Sequence, residues 1–198
     1  VLIVASCGWL FDCMDQRIFV LARSYAAGNL VGADAASEMA QRYGGYATTA
    51  MILGWATGGI IFGIIGDRVG RVKTMIMTLF TYSAFTGLSA LSVSWVDFTI
   101  YRFLTGLGIG GQFAAAATLV GETFPDRVRP LALGTLQALS AMGNVLGSAI
   151  SLWVPPSYLF SIYDYNIPGW RLIFIVGVLP ALLAIIMFTR LREPERWK

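Results

Sequence analysis

Four stretches of the chain carry no charged residue over a length that suits a bilayer crossing: Tyr43 to Gly66, Thr74 to Val96, Phe103 to Gly121 and Leu172 to Thr189. A spanning helix needs about 20 mostly apolar residues, because ~30 Å of hydrocarbon is crossed at ~1.5 Å per residue. Pro130 to Tyr163 is also uncharged but is longer than one crossing. It reads as a helix to about Trp153, followed by an interfacial loop opened by Pro155 and Pro156. The first segment, Val1 to about Ala22, is apolar but interrupted by Asp12, Asp15 and Arg17. It reads as a sixth span with a polar centre. The predicted spans are 1–22, 45–66, 73–93, 99–121, 131–153 and 170–190. Short connections join them into one all-α membrane domain.

Composition excludes the alternatives. The 198 residues are 57% hydrophobic and 13% charged, half the ~25% charge of a soluble domain. That leaves too little charge to cover a water-facing surface, and disorder needs the opposite balance. There is no histidine, which removes the commonest general base and the usual zinc nitrogen ligand. With no thiol paired to a base and no intramembrane serine signature, an enzyme is not expected, nor is a metal or organic cofactor. A net charge of +3 with clustered basic residues gives nucleic-acid binding no support. Cys7 and Cys13 are too close along one helix to bridge each other and read as packing residues.

Lys and Arg set the orientation. Arg68, Arg71, Lys73, Arg127, Arg129, Arg190, Arg192, Arg196 and Lys198 fall on one side of the predicted spans, against Arg23, Arg42 and Arg171 on the other. The first side is expected to be cytoplasmic, with both chain ends facing it. Val1 in place of Met implies that the natural N-terminus lies upstream, and the chain stops just after the last span.

Glycines repeat at four-residue spacing: Gly54, Gly58, Gly59 and Gly63 on span two, Gly106 and Gly110 on span four, Gly143 and Gly147 on span five. In lipid, small residues let helix backbones approach closely. They read first as static packing seams, with sliding seams as the alternative.

The ionisable groups inside the bilayer point to function. A carboxylate at the centre of a spanning helix costs about 2.5 to 3.5 kcal/mol on insertion scales. Asp12 and Asp15 are three apart and share a helix face. Arg17 is turned off that face and is expected to snorkel toward the outer surface. Arg102, opening span four, is the candidate partner for an aspartate of span one. The pair is either a proton switch, if Arg102 approaches Asp15 in only one conformation, or an ion pair that locks two helices. Gln112, Gln137 and Asn144 read either as interhelical hydrogen-bonding residues or as cavity lining.

The loop between spans two and three runs Gly63, Ile64, Ile65, Gly66, Asp67, Arg68, Val69, Gly70, Arg71, Val72, Lys73. Gly70 permits a sharp turn and Asp67 caps or pairs. This loop resembles the signature of the major facilitator superfamily, and further segments are similar to its motifs in order: Arg102 to Gly111 on span four, Gly121 to Arg129 leaving it, Gly169 to Phe174 at the start of span six, and Arg192 to Trp197 after it. The resemblance covers the whole chain but only the N-terminal six-helix half of a facilitator, which normally has twelve spans. The C-terminal bundle is absent from this chain. Within the superfamily, Gly8, Trp9, Asp12 and Asp15 resemble the paired-aspartate segment of sialate and lactate proton symporters, and aromatic-acid symporters carry a related pattern. Sugar porters have one acid, matching Asp15, and a glutamine on span five where this chain has Ala138.

The resemblance implies two inverted three-helix units, alternating access, and a C-terminal six-helix half of the same protein as partner, in a multi-pass protein of the cell membrane. It implies Asp15, with Asp12 second, as the proton-coupling acid, and Arg102 as counter-ion or anion clamp. It implies a cytoplasmic gating network of Gly63, Asp67, Arg68, Gly70, Arg71, Glu122 and Arg129. The expected function is proton-coupled symport of a small organic anion: a monocarboxylate, a sialate-like acid or an aromatic acid. The alternatives are a sugar porter or uncoupled facilitator and, from another class, a non-transporting receptor or scaffold on the same fold.

Overall fold

The computed structural model describes residues 2–162 and 165–181. Six helices occur among them: α1 (Leu2–Val31), α2 (Glu38–Val69), α3 (Arg71–Ala90), α4 (Trp95–Thr123), α5 (Arg129–Trp153) and α6 (Gly169–Val176), with β1 (Leu159–Ile162) and β2 (Tyr165–Pro168) between the last two. The later part of the sixth predicted span and the segment Arg192 to Trp197 lie outside the described residues.

Local chemistry sets the helix ends. Ser37 caps α2, its hydroxyl accepting from the Ala40 amide at 3.1 Å, and Ser94 caps α4 by accepting from Asp97 at 3.2 Å. Gly70 breaks α2 from α3 at φ +112°, where a side chain would be strained. Helix α1 does not stop near Ala22 but runs on to Val31. Arg23 interrupts the apolar run without interrupting backbone hydrogen bonding. Its guanidinium donates to Thr48 on α2 at 3.0 Å, and Ala22, Ala26 and Ala27 stay buried. The expected irregular loop after Pro156 is instead a hairpin, with Leu159 opposite Pro168 and Phe160 opposite Ile167. Its base is tied by the Gly169 amide donating to Tyr158 O at 2.7 Å.

Packing is inside-out relative to a water-soluble bundle. Ile52, Leu53, Ile60, Ile64, Phe80, Leu131 and Val145 are exposed, while Asp12, Asp15, Arg102, Gln112 and six hydroxyl residues of α3 are buried. Helices α2 and α4 contain windows of mean hydropathy 1.7 and 1.5. On α3 the hydroxyls lower the average, yet they face inward and leave an apolar outer surface for lipid.

Glycine seams hold the helices together. A Cβ on Gly54 or Gly58 would run into the carbonyls of Phe103 and Leu107, and one on Gly106 or Gly110 into those of Met51 and Trp55. The α2–α4 contact is therefore reciprocal, backbone against backbone. Gly143 and Gly147 do the same against Leu10 and Met14 on α1. Gly63 is the exception to the predicted seam, since nothing lies within 4 Å of its missing Cβ.

Candidate functional site: a buried charge cluster between α1, α3 and α4

Asp12 and Asp15 are both 0% exposed, as is Arg102. The three-residue offset on α1 turns both acids toward α3 and α4. Asp15 Oδ2 lies 3.7 Å from Arg102 Nη1. The guanidinium is held more closely by Ser89 of α3, whose Oγ accepts from Nε at 3.1 Å and from Nη2 at 2.7 Å. Three aromatic rings close around the cation, with Phe174 at 4.8 Å, Phe19 at 5.5 Å and Phe98 at 5.8 Å from Cζ. Such contacts stabilise a desolvated guanidinium by about 2 kcal/mol or more.

Hydrogen bonding around the acids is incomplete. The Tyr82 hydroxyl neighbours Asp12, and Thr86 neighbours Asp15. None of the four carboxylate oxygens has a hydrogen bond of good geometry among the described residues, and neither do Tyr82 Oη, Thr86 Oγ1 or Arg102 Nη1. Buried groups left unsatisfied are rare and mark water, ions or catalytic and switching roles. The cluster is thus a set of donors and acceptors within reach of rearrangement, not a closed network.

The uncharged polar residues divide. Gln112 is buried and accepts from Thr78 at 2.8 Å, an interhelical bond. Gln137 and Asn144 are exposed on α5, and Asn144 Nδ2 donates to its own helix at Ser140 O, 3.1 Å away. Arg17 is exposed and held against α5. Its Nε donates to Ser148 Oγ of α5 at 2.9 Å.

At the α2–α3 turn, Arg71 bridges Asp67, one turn earlier, and Glu122 at the end of α4, 3.0 Å from Nη2. Partial burial opposes its charge, but hydrogen bonds and attraction from Glu122 and Asp67 win and hold the guanidinium above its ordinary range. Arg129 departs from the expected network and pairs with Asp126 at 2.8 Å. Asp126 stands in the turn three residues before Arg129, the first residue of α5, so the pair is local. Arg68 is exposed, without an ion pair among the described residues, while Gly63 and Gly70 act through the backbone alone.

Sequence reasoning missed Ser89, Thr86, Tyr82 and the aromatic cage. The signal was there: Thr78, Tyr82, Thr86 and Ser89 recur at helical spacing along α3, and in lipid such a stripe turns inward.

Comparison with known proteins agrees with this architecture. Residues 10–198 match the Major Facilitator Superfamily. A cis,cis-muconate transport protein of Acinetobacter baylyi is 33% identical over 147 residues, covering 74% of this chain and 33% of the relative. A sialic acid transporter of Escherichia coli is 31% identical over 140 residues, 71% of this chain and 32% of its own length. The chain thus matches about a third of the length of either relative. Among solved structures, a proton:xylose symporter bound to 6-bromo-6-deoxy-D-glucose superposes with a TM-score of 0.83 at 20% identity, over 99% of this chain and 45% of that one. At that identity the likeness speaks for the fold. Family and relatives are transporters rather than enzymes. The chain therefore belongs to the major facilitator superfamily and forms the six-helix N-terminal half of its fold.

Proposed function

We propose that this half-transporter serves proton-coupled symport of a small organic anion by alternating access, together with a C-terminal six-helix half of the same protein. The observation that carries the reading is the Asp15–Arg102 pair: two fully buried opposite charges 3.7 Å apart, with Asp12 buried beside them. A carboxylate that keeps its guanidinium partner stays ionised, whereas one that loses it in a low-dielectric bundle binds a proton. Helix motion that separates α1 from α4 then loads or releases one proton per cycle. Asp15 is the coupling acid, Asp12 its second, and Arg102 the counter-ion. The muconate and sialic acid carriers named above favour an organic acid as substrate. Gln137 and Asn144, exposed on α5, line the face turned to the missing half.

The Asp67–Arg71–Glu122 cluster is the cytoplasmic gate in this scheme, and both chain ends face the cytoplasm with the basic loops. Arg68 contributes positive charge to that side, and Arg129 stabilises the start of α5 through Asp126.

The decisive experiment is uptake by the full-length protein in proteoliposomes. Asp15→Asn is expected to abolish uphill accumulation driven by a proton gradient while leaving substrate exchange partly intact. Normal accumulation by Asp15→Asn overturns the coupling role.

A further inference from the structure

The symport reading leaves the anion itself without a binding group. Arg102 is fully enclosed and committed to Ser89, Asp15 and three rings, so in this conformation no substrate reaches it. Arg17, near the middle of α1, is another cation on a spanning helix, and its surroundings differ from those of Arg102.

Arg17 is exposed and sits near the middle of α1 (Leu2–Val31). Its stem lies across α5 at Gly147, where an added Cβ would come within 2.9 Å of Arg17 Cβ. Ser148 fixes the guanidinium through Nε at 2.9 Å and is itself fixed by donating to Asn144 O at 2.9 Å. That one bond uses the inner edge of the fork. Nη1 and Nη2 have no partner among the described residues, and Arg17 lines a groove of about 450 Å³ together with Asn144, Val145, Ser148, Ala149 and Leu152. Among the described residues, no carboxylate lines the groove. A cation at such depth costs about 2.5 to 3.5 kcal/mol unless an anion or water meets it. Two parallel N–H groups on a planar fork match the two oxygens of a carboxylate, and the rest of the groove is largely apolar. The volume lies within the range of small-molecule sites.

We propose that Arg17, positioned by Ser148 over Gly147, is the carboxylate-binding residue of the substrate site, and that the groove beside it accepts the body of a small organic acid. This rests on the anion-symport reading above and divides its labour: Asp15 and Arg102 handle the proton, Arg17 the anion. A lipid phosphate could supply the same charge, and the test separates the two sources.

Full-length protein in phosphatidylcholine liposomes is tested for binding and proton-driven uptake of benzoate, cis,cis-muconate and N-acetylneuraminate. Arg17→Gln is expected to weaken carboxylate binding by about ten- to hundredfold, the range of a charge-assisted bond. Arg17→Lys recovers part of the loss. Ser148→Ala keeps the charge but frees the fork, and it weakens binding severalfold with an unchanged melting temperature. It serves as the readout if Arg17→Gln does not fold. Wild-type uptake combined with unchanged affinity in Arg17→Gln, or in Ser148→Ala where only that variant folds, overturns the Arg17 assignment and leaves symport standing. An effect of Arg17→Gln seen only when phosphatidylglycerol is present identifies a headgroup as the ligand and also overturns it. Wild type that takes none of the three acids overturns both readings.

Discussion

Asp15 Oδ2 stands 3.7 Å from Arg102 Nη1 with both side chains fully buried, so the charges attract without closing a hydrogen bond between those atoms. A charge-assisted bond would be nearer 2.8 Å. The guanidinium is also held by Ser89 of α3 and enclosed by the rings of Phe19 of α1, Phe98 of α4 and Phe174 of α6.

Removing one partner of such a pair is therefore more damaging than neutralising both. Arg102→Ala leaves an uncompensated buried acid and is expected to lower stability by about 3 to 5 kcal/mol. The Asp15→Asn/Arg102→Gln double variant should recover most of that. Denaturation in detergent micelles of the two proteins, side by side, checks the order. A double variant no more stable than Arg102→Ala would show that packing, not charge, dominates at this site.

The glycine seam gives a sharper contrast. Alanine at Gly106 drives a Cβ into the Met51 carbonyl, whereas alanine at Gly63 meets open space. Gly106→Ala is expected to cost about 1 to 3 kcal/mol by overpacking. Gly63→Ala should be neutral or gain up to about 1 kcal/mol from helix propensity. Thermal melts of the two variants decide whether Gly63 serves packing at all.

At the α2–α3 turn, Arg71 ties Asp67 to Glu122, but Arg129 pairs locally with Asp126 on an exposed surface. Arg71→Ala is expected to slow transport with little change in substrate affinity. Arg129→Ala should have a much smaller effect on rate, since exposed pairs contribute only about 0 to 1 kcal/mol. Initial rates over a substrate series separate the two parameters. An affinity collapse at constant maximal rate in Arg71→Ala would argue against a gate.

The fold was legible because a bilayer leaves few choices: uncharged runs of crossing length must be helices, and a Gly-rich turn with basic neighbours fixes the hairpin between α2 and α3. The pairing of Asp15 with Arg102 was legible for the same reason, since a buried acid needs a partner and few cations lie inside the spans. What escaped was what lies across helices. Ser89 looks like any helix serine until α3 is turned against α4. Arg129 matches a family pattern, yet Asp126 is nearer. Arg17 reads as a snorkelling residue, and sequence says nothing of Ser148, far along the chain but adjacent in space. The hairpin of β1 and β2 was hidden by prolines that mark a loop without telling its shape.

Tyr82 supplies the last test. Its hydroxyl is fully buried between α3 and α1, beside Asp12, with no hydrogen bond of good geometry. A buried hydroxyl that faces a carboxylate at poor geometry recovers only part of its desolvation penalty of about 1 to 3 kcal/mol. Tyr82→Phe keeps the buried ring and removes only that oxygen. Stability is then expected to be unchanged or raised. If the hydroxyl takes part in proton loading at Asp12, the pH dependence of uptake shifts although the protein is no less stable. A loss of more than about 2 kcal/mol would mean that the oxygen has a strong partner in the membrane-embedded protein, such as a bound water, and the incomplete hydrogen bonding around the acids would not be a resting feature of the site. Melting temperature and the pH profile of uptake, measured on the same preparation, give both answers.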